Sequence, residues 1–121
     1  MVAYTKACEV RRNVYRLIKH FPKEEQFALA NQMRRAAVSV TSNVAEGMTR
    51  YSNKDKIHFV EISYGSLMEV MSQLEVAFDE GYIIESEFQN METLIAETCR
   101  VLSGLQNSFK PSSPESLNSQ L

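Results

Sequence analysis

Apolar residues recur at alternating steps of three and four along most of the chain, and this rhythm divides it into four segments. In the first, Ala3, Ala7, Val10, Val14, Leu17 and Phe21 form one stripe, with Lys6, Arg11, Arg12, Arg16 and Lys19 mostly off it. Pro22 ends this segment, because the residue before a proline is biased out of the helical region. The second runs from about Lys23 to Gly47, with the stripe Leu29, Met33, Ala37, Val40 and Val44. Its stretch from Val38 to Val44 is rich in β-branched residues and could pass for a strand. Strict alternation fails across residues 26–37, however, so the helical reading carries through. The third is the most regular: Ile57, Val60, Tyr64, Leu67, Met71, Leu74 and Phe78. Ser52 with Asp55 three residues on predicts a capped start, and Gly81 predicts a left-handed stop. The fourth runs from about Glu85 to Phe109, with the stripe Phe88, Met91, Ile95, Thr98, Leu102, Leu105 and Phe109.

Four amphipathic helices joined by short connections predict an all-α, antiparallel up-down-up-down four-helix bundle. The expected domain spans residues 1–110, followed by a disordered tail over 111–121 of turn-rich, weakly hydrophobic composition. Only 4 Gly and 3 Pro in 121 residues leave too few turn formers for an all-β fold. Tyr15, Ile18, Phe27, Phe59, Ile62, Met68, Val70, Leu94 and Val101 lie off the four stripes. A lone bundle built on narrow stripes would leave many of them wet, which predicts a homo-oligomer.

Charge changes this picture more than bulk composition does. The net charge is −2, yet residues 1–56 carry 11 Lys and Arg against 5 Asp and Glu, a balance of +6. Residues 57–121 carry 2 against 10, a balance of −8. Basic and acidic helices lying side by side and attracting one another explain this plainly. A basic face on helices 1–2, offered to RNA or a ribonucleoprotein, is the sharper reading, with Arg11, Arg12, Arg16, Arg34 and Arg35 as its contacts.

Catalytic chemistry finds little to work with. Asp55 and His58 make a single Asp-x-x-His pair where a carboxylate-bridged metal pair needs two such motifs and further carboxylates. His20 reads as a residue at a helix end. The four glycines are scattered and form no phosphate loop. Neither an enzyme nor a cofactor or metal is expected. Cys8 and Cys99 stand apart, and the first dozen residues lack an apolar core behind a basic start, so reduced thiols and a cytoplasmic location are expected. No apolar run approaches the roughly 18–20 residues of a membrane span.

A polar set on the second helix remains. Arg35, Ser39, Asn43 and Glu46 recur at helical spacing beside the apolar stripe. Arg35 and Glu46 are about 16 Å apart along such a helix, too far to pair, so each would need a partner on another helix or another subunit. The set reads either as a solvated face or as a hydrogen-bonded seam fixing register or assembly. Asn43 with Glu46 also offers a capping box, should the helix break at Thr41-Ser42.

Residues 32–47, QMRRAAVSVTSNVAEG, resemble the signature of the four-helix bundle proteins encoded in intervening sequences of bacterial 23S ribosomal RNA genes. The similarity extends from Tyr4 to Leu105 and includes Tyr64-Gly65-Ser66-Leu67-Met68-Glu69 and Gln73-Leu74-Glu75-Val76-Ala77. Thr41 stands where the family usually has proline, and Tyr4 where it has tryptophan, so a milder kink in the second helix is implied. The resemblance implies a small bacterial cytoplasmic protein forming a ring-like homopentamer. It also implies kinship with the accessory variability determinant of diversity-generating retroelements, a basic protein implicated in nucleic-acid binding. Two functions follow: a non-enzymatic oligomeric scaffold that contacts RNA, or a protein–protein adaptor with no nucleic-acid affinity.

Overall fold

The structure, a computed structural model, describes residues 1–111; the expected tail beyond Pro111 lies outside the described residues. Four helices follow one another: α1 (Val2–Ile18), α2 (Leu29–Met48), α3 (Asn53–Asp79) and α4 (Glu85–Phe109). Neighbours in sequence pack together and α1 closes onto α4, while the diagonal pairs stay apart, so the section is a four-cornered, up-down-up-down bundle.

Each predicted stripe supplies most of its members to the core, but Tyr64 of the third is exposed at 36%. Val10, Val14, Met33, Val40, Val44, Val60, Leu67, Leu74 and Leu102 are fully enclosed. Ile18 and Val70, which narrow stripes leave outside, are also core, at 2% and 0% exposure. Phe59, Leu94 and Val101 are half-buried. The apolar sector of each helix is therefore wider than two positions in seven, as a globular bundle requires. This weakens the inference of self-association drawn from those residues. Tyr15, Phe27, Ile62 and Met68 remain exposed, with Phe27 at 93%.

The second segment is not one helix from Lys23. Lys23–Glu25 form a single 3-10 turn, Ala28 is non-helical, and α2 starts only at Leu29. The reason lies in Gln26, whose side-chain amide donates to the carbonyls of Ile18 (2.8 Å) and Phe21 (3.1 Å). Ile18 O also accepts from the Phe21 N–H at 3.1 Å, and the two bonds from Gln26 hold the chain after α1 in a fold-back rather than a continuing helix. Across this end of the bundle the Tyr82 hydroxyl donates to Glu25 at 2.9 Å, and Phe21 and Tyr82 rings pack 5.4 Å apart.

The other boundaries follow local chemistry. Ser52 Oγ accepts from the Asp55 N–H at 3.1 Å and starts α3. Gly81, at φ 78°, ends the turn after it, a conformation costly for any side chain. Glu87 reaches back to accept from the Ile84 N–H at 3.0 Å and starts α4. Thr98, the polar interruption of the fourth stripe, is fully buried because its hydroxyl donates to Leu94 O at 2.7 Å. No helix is long and apolar enough to cross a membrane among the described residues.

Candidate nucleic-acid interface

α2 divides the candidate residues into two sides. Toward α3 it presents a polar seam. Asn43 Nδ2 donates to Ser39 O (2.8 Å) and Ser39 Oγ (3.0 Å), and Ser39 Oγ lies 2.8 Å from Ser66 Oγ on α3. Ser63, fully buried, donates to Val40 O at 2.7 Å. Two hydroxyl contacts thus tie α2 to α3 in antiparallel register, where small side chains let the backbones come close. Just beyond, a Cβ added at Gly47 would stand 3.0 Å from Phe59 Cβ. Ser63 and Ser66 were not among the sequence candidates. Their only sign is a small polar residue one step off a strong apolar stripe, and Ser66 lies inside the family-like Gly65-Ser66-Leu67.

Two expectations for this region are corrected. α2 runs unbroken through Thr41, whose hydroxyl donates to Val38 O at 2.8 Å, so Asn43 and Glu46 do not cap a second helix. Glu46 pairs with Arg50 in the α2–α3 turn, close to home rather than on another helix. Arg50 in turn lies 4.7 Å over the Phe59 ring. Because Asn43 serves the Ser39–Ser66 contact, we expect Asn43→Leu to lower stability by about 0.5–1.5 kcal/mol. Thermal unfolding checks this, and an unchanged midpoint would make Asn43 ordinary surface.

The five arginines do not form a single cluster. Arg34 is half-buried and committed to the α1–α2 connection, with Nη2 donating to Gln26 Oε1 at 3.0 Å. Arg16 bonds Asn13 and lines a cleft on the α4 side with Glu87 and Asn90. Arg35 lies on the outer ridge of α2, exposed and without an ion pair or hydrogen bond among the described residues. It lines a groove of about 480 Å³ between α1 and α2 with Tyr15, Asn31, Arg34, Val38 and Ser39. Arg11 is half-buried and Arg12 exposed. They share helical faces with Tyr15 at four and three residues' separation. The structure therefore places Arg34 and Arg35 at the α1–α2 groove and Arg16 at the cleft toward α4, while Arg11 and Arg12 line neither.

Other chemistry is sparse. No group of three or more His, Cys, Asp or Glu side chains could hold a metal ion among the described residues. Both cysteines are free. Burial pushes the Cys99 thiol up from its ordinary value, the opposite of what a reactive thiolate needs. The Lys6–Glu97 pair links α1 to α4 at 2.9 Å, and its exposure limits its worth to little.

Comparison with known proteins bears on this arrangement. A family model described as "23S rRNA-intervening sequence protein" matches residues 1–104. Among solved structures, a protein of unknown function from the S23 ribosomal protein family of Bacteroides thetaiotaomicron superposes with a TM-score of 0.80 at 21% identity. That match covers 88% of this chain and 96% of the other, and it speaks for the fold. No curated protein matches.

Proposed function

Since the chain belongs to the 23S rRNA-intervening sequence protein family, we propose that it is a non-enzymatic helical-bundle scaffold that self-associates and contacts RNA through α1 and α2. The observation that carries this reading is the exposed, unpaired Arg35 beside the α1–α2 groove, with Arg12 exposed on the adjoining helix. Cations left without carboxylate partners are free to neutralise phosphates. The acidic groups that lower the net charge sit mainly in α3 and α4. Self-association is supported by the exposed Ile62, Met68 and Val76 on α3, away from the α1–α2 groove. A homopentamer, as the family resemblance implies, would have a mass of about 69 kDa, five times the 13.8 kDa chain.

Binding of a structured RNA at about 50 and 200 mM salt tests the contact. A phosphate-driven interaction weakens steeply over that range, by a slope set by the number of phosphates neutralised. Absence of binding at the lower salt would contradict it and favour a protein–protein adaptor, a reading to which the pI of 5.7 lends weight. Light scattering of the same sample decides assembly: a single-chain mass would remove the oligomer from the proposal.

A further inference from the structure

The α1–α2 groove contains more than a phosphate contact requires. Tyr15 is 38% exposed, and neither another ring nor a cation stacks on it among the described residues. Val38, equally exposed, lines the same groove and extends its apolar floor. Asn31 offers an exposed amide at the edge, and Arg35 an unpaired guanidinium. The Ser39 hydroxyl is already engaged by Asn43 and Ser66, so it contributes wall rather than recognition.

An open aromatic face next to a cation suits a nucleobase whose own faces are free. Inside a duplex those faces are covered by the neighbouring base pairs, whereas in a single strand they can stack on a side chain. The groove on the opposite side of Arg35, lined by Gln32, Ala36, Ser39 and Glu69, carries a carboxylate. Its charge repels phosphate and favours approach from the α1 side. We propose that the α1–α2 groove holds one nucleotide of single-stranded RNA. The base stacks on Tyr15 and Val38, Asn31 meets its edge, and Arg35 neutralises the phosphate. This inference rests on the RNA contact proposed above and narrows it to unpaired strands.

The test is fluorescence anisotropy with a short unstructured RNA strand and with the duplex it forms with its complement, at low salt. The strand is expected to bind roughly tenfold or more tightly than the duplex, and Tyr15→Leu to remove roughly that advantage. Tyr15→Phe, which keeps the ring, retains it. Leucine preserves apolar bulk, and an unchanged helical circular dichroism melt shows that the variant is folded. Equal binding of strand and duplex, or a Tyr15→Leu variant indistinguishable from wild type, overturns the stacking site while leaving the basic-face contact in place. Failure of both RNAs to bind overturns both.

Discussion

Leu67→Ala lowers the free energy of unfolding by about 2–5 kcal/mol, the range for truncating a fully buried leucine whose surroundings collapse only in part. Leu67 has 0% exposure and sits mid-way along α3, the helix that packs on both α2 and α4. At about 4 °C per kcal/mol for a domain of this size, the thermal midpoint falls by roughly 8–20 °C. Circular dichroism at 222 nm, the usual helix signal, is enough to read a shift that large. A midpoint within about 2 °C of wild type would mean that Leu67 is not in the core, and the packing of α3 would need revision.

Gly47→Val is the second large effect, and it acts through excess volume rather than a cavity. A Cβ at this position meets Phe59 Cβ at 3.0 Å, with Lys56 O at 3.5 Å and Phe59 Cγ at 3.9 Å. The nearest atom is attached directly to the α3 backbone, so no side-chain rotation relieves the contact and the helices must separate. Overpacking of this kind costs about 1–3 kcal/mol. A valine gains a few tenths of a kcal/mol over glycine in helix propensity, too little to offset that cost. Gly104, with nothing within 4 Å of an added Cβ, is the control. Gly104→Ala should be neutral or stabilising by up to about 1 kcal/mol. Equal behaviour of Gly47→Val and Gly104→Ala in a melt would show that α2 and α3 are not in close approach at Gly47.

The contrast between these two residues indicates what could be read from the chain. Leu67 belongs to a seven-member stripe whose regular spacing fixes the helix and all of its core-facing members but Tyr64, which is exposed. Gly47 was legible only as part of a family-like motif. Its reason, the nearness of the Phe59 Cβ twelve residues on, belongs to the crossing of two helices and to no local pattern. The break before α2 was hidden for a similar cause. Gln26 ends the connection by bonding carbonyls five and eight residues upstream, and a polar residue at that position looks the same whether it caps or faces water. Ile18 and Val70 were misplaced because alternating steps of three and four trace only the centre of a wider apolar sector. Glu46 found its partner one turn on, at Arg50, just past the end of its own helix, whereas its spacing from Arg35 points to another helix or subunit.

The motif on α2 thus carries two jobs on two sides. The side toward α3 is occupied by Ser39, Asn43, Gly47 and their α3 partners Ser66 and Phe59, and it sets how closely two helices pack. The outer side bears Arg35 and, with Arg12 and Tyr15 of α1, is left to solvent. Residues of the first kind change stability when altered. Those of the second leave stability nearly unchanged, because exposed groups without partners contribute within about 0.5 kcal/mol. Any effect they have belongs to binding.

The most direct test is therefore the RNA affinity of an Arg12→Ser/Arg35→Ser variant, measured at low salt beside its thermal midpoint. The account predicts a wild-type midpoint, weaker RNA binding and a shallower dependence of affinity on salt, by roughly one phosphate contact for each arginine removed. Unchanged affinity and salt slope in a folded variant would contradict it.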